Sequence, residues 1–224
     1  MGEAYEAFEE KLRGREMAIG VKEYIETVTY LSKMYDFFNE KLFGGGLIKP
    51  VITISPDEKN KAYGWITRDK LWKENENDEG MYEINLSAQF LNRPISETAS
   101  TLIHEMCHQF ARVNDFKDTA RSGSFHNKLF RQIAEDHGLN VELNGGRGWA
   151  VTTLKESTKR LLDGFIEQNP KTPVYRVMPI KPKRVRNVSV RKYICPDCEA
   201  SVRATKAVNV MCGDCMKQMQ EEKI

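Results

Sequence analysis

Residues 102–115 read LIHEMCHQFARVND, and five of them, His104-Glu105-Met106-Cys107-His108, decide what kind of fold this chain needs. In an α-helix, positions i and i+4 lie on one face a turn apart, so His104 and His108 can aim both imidazoles at one ion. Glu105 follows the first histidine, where a carboxylate can accept a proton from water without ligating the ion itself. Ala99, Leu102, Ile103, Met106, Cys107 and Phe110 give the helix an apolar side, which places it inside a fold and not on a solvated surface. Cys107 falls on that side and reads as a core thiol.

A catalytic zinc takes three protein ligands and leaves a fourth position to water, whose pKa it lowers towards neutrality. The chain's 4 histidines all lie between positions 104 and 137, so the third ligand is sought among His126 and His137. His126 follows a Gly-Ser turn at the expected start of the next helix, FHNKLFRQIAEDHG, and a chain reversal there returns it to the first pair. His137 stands at the far end of that helix, roughly 16 Å away at a rise of about 1.5 Å per residue, so both cannot serve one ion. It reads as a helix-terminal residue favoured by the macrodipole. Glu135 and Asp136 stay open as carboxylate alternatives, with His126 preferred.

Working outward, Tyr24, Ile25, Val28, Leu31, Tyr35, Phe38 and Leu42 recur at helical spacing and stop at Gly44-Gly45-Gly46, which predicts a helix over 21–43. PVITIS (50–55), AYGWIT (62–67) and MYEINLS (81–87) read as strands between turn signals. The polar connection RDKLWKENENDEG is expected to be mobile. Ser96, after Pro94, is the expected N-cap of the motif helix. Residues 139–168 carry a glycine-rich turn (Gly145, Gly146, Gly148), Trp149 and a further helix around LKESTKRLLDGFIE.

Composition changes at NPKTPVYRVMPIKPKRVRNVSVRK (169–192), which holds four prolines, eight Lys or Arg and no acidic residue, and so reads as an extended basic linker. Beyond it, Cys195-Pro-Asp-Cys198 and Cys212-Gly-Asp-Cys215 pair two CxxC units at zinc-ribbon spacing. Four thiolates make a closed tetrahedral site, and a module this short needs the metal to fold. The expected organisation is an N-terminal arm (1–20), a main domain (21–168), the linker (169–192) and a zinc ribbon (193–224). A net charge of only +2 confines any nucleic-acid affinity to local charge, and Lys181, Lys183, Arg184, Arg186, Arg191 and Lys192 are the candidate contacts. No recognition-helix pattern is visible, so single strands or junctions are expected over sequence-specific duplex. No run has the length of a membrane span, and MGEAYEAFEEKLRGRE has no signal-peptide pattern. Cytoplasmic residence and no membrane partner are therefore expected.

These elements, in this order, resemble the SprT-like family of zinc metalloproteases. LSKMYDFFNEKLFGGGL resembles the family's opening helix, PVITIS and AYGWI its first strands, and YEINLSAQFLN the approach to the TLIHEMCHQF helix. GSFHNKLFRQIAEDHGL then carries the third histidine, and a zinc ribbon follows, as in the short bacterial and phage members. The resemblance implies His104, His108 and His126 as ligands of a catalytic Zn2+, Glu105 as general base, a protein substrate, and association with nucleic acid. It also implies an edge strand on which an extended peptide pairs. The expected fold is α+β, a minimal zincin-like metalloprotease domain followed by a ribbon whose structural Zn2+ sits on Cys195, Cys198, Cys212 and Cys215. The expected function is an endopeptidase acting on proteins bound or crosslinked to nucleic acid. The alternative is a zinc-ribbon nucleic-acid-binding protein in transcription or replication whose SprT-like domain only docks. Glu105 favours the first, because docking has no use for a carboxylate beside a ligand.

Overall fold

The computed structural model describes residues 19–57, 62–171, 173–177 and 190–222. The expected arm therefore lies almost wholly outside the described residues, as do Lys181, Lys183, Arg184 and Arg186 of the linker. The chain divides into two compact units, Met1–Met178 and Pro179–Ile224.

The first unit opens with α1 (Ile19–Phe43), whose Tyr30, Leu31, Met34, Tyr35 and Phe38 are buried on one helical stripe. The Asn39 side chain closes the turn that follows, donating to Leu47 O at 2.9 Å and accepting from Leu47 N at 3.1 Å. Strands β1 (Val51–Thr53), β2 (Gly64–Ile66) and β3 (Glu83–Leu86) form a sheet of order β1-β3-β2, with β1 parallel and β2 antiparallel to β3. The connection between β2 and β3 is cross-linked: Trp72 and Met81 exchange backbone hydrogen bonds, and Trp72 Nε1 donates to Glu83 Oε2 at 2.8 Å.

The motif helix α2 (Ile95–Val113) lies between this sheet and a second one, and touches α1 as well. Pro94 occupies the N-cap position in place of the expected Ser96, and no side chain caps the helix. Pro94 brings a fixed φ to the helix entry, and its carbonyl accepts from Glu97 N at 2.9 Å and Thr98 N at 3.3 Å.

Sequence reading did not foresee the second sheet. Its strands are β4 (Thr119–Ala120), β5 (Phe125–His126), β6 (Leu139–Asn144) and β7 (Gly148–Leu154), in order β4-β5-β7-β6. Helix α3 (Lys128–Asp136) begins two residues later than His126, which belongs to β5. Asn127 is its N-cap, accepting from Leu129 N at 2.8 Å and Phe130 N at 3.1 Å. Helix α4 (Glu156–Gln168) closes the core with Leu162 and Phe165, the latter ring 5.4 Å from Tyr30 and 5.3 Å from Phe37. The chain then runs back over this unit: Lys171 pairs with Glu26, Val174 N donates to Thr27 Oγ1, and Arg176 N donates to Ala88 O.

The second unit holds β8 (Arg191–Ile194), β9 (Ser201–Ala204) and β10 (Gln220–Glu222), an antiparallel sheet of order β10-β8-β9. Tyr193, Cys195, Cys212 and Met219 are its buried core, too small to hold the module by apolar burial alone.

Candidate metal centres

Helix α2 places His104 and His108 on successive turns with ring centroids 5.0 Å apart, and β5 delivers His126 against both. His126 Nε2 lies 3.1 Å from His104 Nε2 and 3.0 Å from His108 Nε2. The outer nitrogens each face an acceptor: Asp118 Oδ2 at 2.5 Å from His108 Nδ1, Arg147 O at 3.2 Å from His126 Nδ1, and Thr152 Oγ1 at 3.3 Å from His104 Nδ1. The carboxylate and the carbonyl can only accept, which puts the protons of His108 and His126 on Nδ1; with the Thr152 hydroxyl accepting from His104 in the same way, the three Nε2 atoms turn their lone pairs towards one point. Lone pairs crowded in this way repel unless a cation sits among them. Ligand nitrogens around a tetrahedral zinc stand about 3.3 Å apart, so the donor set fits such an ion after a shift of a few tenths of an ångström.

The setting keeps two of those donors, His104 and His126, neutral. Burial, and then the neighbouring His108 and His126, hold His104 well below the usual histidine range. Burial also brings His126 down to about 4. Phe130, on the first turn of α3, packs its ring centroid 4.6 Å from each of the three imidazoles and walls the site on one side. Glu105 is only 6 % exposed, and burial raises its carboxyl above the ordinary range. The Cys107 thiol is wholly buried and pushed well up by that burial, as a core residue should be.

His137 stands outside this cluster. It is the C-cap of α3, bonded through Nδ1 to Ile133 O at 2.7 Å and stacked on Phe43 at 4.3 Å. Glu135 accepts from Arg131 Nε at 2.8 Å. Sequence reading missed Asp118, Thr152 and the Arg147 carbonyl, because no fixed spacing ties outer-sphere partners to an HExxH motif. Gly148 was noticed only as a turn residue. Its φ of +72° and the 2.1 Å between a built Cβ and His126 O show that β7 can lie beside the third histidine only without a side chain there.

In the second unit Cys195, Cys198, Cys212 and Cys215 bring their sulfurs within 4.8 Å of one another, and the three histidines do the same with their ring nitrogens. Cys198 Sγ and Cys212 Sγ are 3.6 Å apart and all five cysteines are free thiols, so the quartet is a ligand set and not a disulfide pair. The two CxxC turns repeat one geometry. Glu199 N donates to Cys195 O at 3.0 Å and Met216 N to Cys212 O at 2.9 Å, and Glu199 and Met216 have φ of 59° and 52°. Backbone N–H groups of Cys198 and Asp197 bring the Cys195 thiol down to about 7, while the crowded neighbouring sulfurs push Cys215 up and Cys198 is raised as well.

Of the proposed nucleic-acid contacts, Arg191 and Lys192 lie on β8 and are paired across to β10, Arg191 with Glu221 at 2.6 Å and Lys192 with Glu222 at 2.7 Å. Among the described residues, no helix is long and apolar enough to cross a membrane.

A sequence model described as the SprT-like family matches residues 31–147, from within α1 to the turn between β6 and β7, and includes all three clustered histidines. Comparison with curated proteins and with solved structures gives no match.

Proposed function

The chain belongs to the SprT-like family, and from that membership we propose that it is a zinc-dependent endopeptidase cleaving proteins bound or crosslinked to nucleic acid. The observation that carries the reading is the convergence of three Nε2 lone pairs beside a buried carboxylate, Glu105. His104, His108 and His126 would hold the ion, with Asp118, Thr152 and the Arg147 carbonyl fixing their orientation. Zinc held there would supply Lewis acidity, making water acidic near neutral pH and polarising a scissile carbonyl. Glu105 takes the proton from the attacking water and returns it to the leaving amine. Phe130 and the apolar floor of α2 exclude bulk water, which strengthens each of these interactions.

An extended substrate has a surface to pair with. Strand β2 is an edge of the first sheet, and its partner β3 occupies only one of its two sides. Gly64 lets that edge approach α2: a built Cβ would stand 2.9 Å from Thr101 Cγ2, one helical turn before Glu105. A peptide adding to β2 would therefore run along the motif helix. The cysteine quartet serves as a structural zinc site, since it offers no open position. The basic stretch ahead of the cysteine quartet, Lys181, Lys183, Arg184 and Arg186 foremost, would draw the enzyme to a phosphate backbone.

Metal removal tests the reading. Chelation should abolish cleavage of a DNA-bound protein, and zinc should restore it. His126→Ala should stay inactive at zinc concentrations that restore the wild type. Full activity of the chelated protein, or of His126→Ala, would overturn the assignment.

A further inference from the structure

The candidate metal centre draws on two chain segments, joined by the short β4–β5 ladder and by the side chain of one residue at its end. His126 arrives on β5, while the carboxylate that orients His108 arrives on the loop after α2, at Asp118. Between them stands Asn127. Its Oδ1 caps α3 through Leu129 N and Phe130 N, and its Nδ2 donates to Lys117 O at 2.6 Å. Its backbone N–H donates to Asp118 O at 3.0 Å. Two backbone donors on one side-chain atom and a carbonyl on the other fix which end of the amide is which.

We propose that Asn127 is a positioning residue of the metal centre, clamping the Lys117–Asp118 backbone to the head of α3 so that Asp118 stays on His108 while His126 and Phe130 stay in place. The inference rests on the metal-binding reading of the three histidines. Each function of the amide has its own consequence. The Oδ1 cap holds the turn that carries Phe130 beneath the imidazoles. The Nδ2 bond pins the carbonyl adjoining Asp118, a residue only 7 % exposed whose carboxylate must meet Nδ1 of His108 edge-on. Without that bond the β4–β5 ladder still sets Thr119 opposite His126, but the Lys117–Asp118 turn loses its side-chain anchor and the Asp118 carboxylate its fixed aim. His108 then loses the partner that keeps its proton on Nδ1 and its lone pair on the metal side.

Substitutions can separate the clamp from the cap. Asp and Ser cap a helix about as well as Asn, but ionised Asp has nothing to donate to Lys117 O, and Ser would have to reach it with the same single oxygen that caps α3. Full-length Asn127→Asp and Asn127→Ser should keep wild-type thermal stability yet bind Zn2+ at the histidine site at least about ten-fold more weakly, read by competition with a chromophoric chelator. The ribbon site, followed separately through the thiolate charge-transfer bands of its Co2+ form, should not change. A double-mutant cycle adds a readout that capping alone would not move: in an Asp118→Ala background, Asn127→Ser should cost no further affinity. Wild-type affinity in both cap-preserving variants, or full additivity with Asp118→Ala, would overturn the clamp. Wild-type protein that takes up metal only at the ribbon would instead overturn the reading beneath it.

Discussion

At the scale of single residues, the centre is defined by which groups are kept uncharged. His126 falls to about 4 and His104 lies well below the usual range, both first through burial, so the folded protein holds them neutral across the whole physiological window. In the unfolded chain a histidine takes up its proton near 6.5. Between about pH 6.5 and 4 the unfolded state therefore binds protons that the folded state refuses, and metal-free protein should lose stability as pH falls through that window. Glu105, raised by burial from an ordinary 4.5, has the opposite slope above that value, so wild type alone is an ambiguous reporter. The informative comparison is chelator-treated wild type against His126→Ala. The melting temperature of wild type should fall more steeply between pH 6.5 and 4, and parallel curves would show that burial does not hold His126 neutral.

At the scale of elements, α2 is the piece that everything else orients around, and Gly148 is the narrowest fit in that arrangement. Gly148→Ala would force a left-handed φ on alanine and drive its Cβ into His126 O, so β5 and β7 must part. The expected cost is more than about 2 kcal/mol, with loss of metal from the histidine site before loss of the ribbon metal. Unchanged metal content and melting temperature would show that the strand contact does not position His126. The same comparison of elements explains what could be read in advance. Helix α2 was legible because its apolar residues Ala99, Leu102, Ile103, Met106, Cys107 and Phe110 repeat at helical spacing, and the CxxC units because ligand spacing is local. Strands β4 and β5 have two residues each, too few for an alternation to appear. The hairpin of β6 and β7 was legible in principle, since Leu139, Val141 and Leu143 alternate with polar residues before a glycine-rich turn. Leu143 and Val151 are nonetheless exposed, and the pairing is irregular between Glu142 and Asn144, which blurs the division into core and solvent sides. Asp118 was not legible at all: its approach to His108 depends on a turn with Asp115 at φ 55°, and nothing in the spacing from the motif announces it.

At the scale of the whole molecule, two units that each carry a candidate metal-ligand cluster meet in sequence within a stretch, 169–192, whose charge is all of one sign. The segment up to Val177 belongs to the first unit through Lys171, Val174 and Arg176, so a truncation that spares that unit should remove residues 179–224 and no more. That deletion should remove most DNA affinity, and the full chain's affinity should fall steeply with added salt as counterions are released. Charge reversal at Lys181, Lys183, Arg184 and Arg186 should reproduce the deletion. Reversal at Arg191 and Lys192 should do less for DNA and more harm to the ribbon, because both already face glutamates on β10. Undiminished DNA binding by the truncated chain would move the nucleic-acid surface onto the first unit. The central claim, that three histidines and Glu105 form a hydrolytic zinc centre, is tested most directly by Glu105→Gln, with zinc content and cleavage of a DNA-bound protein measured on the same preparation. The account predicts about two zinc ions per chain in both proteins, with cleavage slowed by at least about 100-fold in the variant because only proton acceptance is lost. Cleavage at the wild-type rate by Glu105→Gln, or wild-type protein that cleaves with no zinc on His104, His108 and His126, would contradict it.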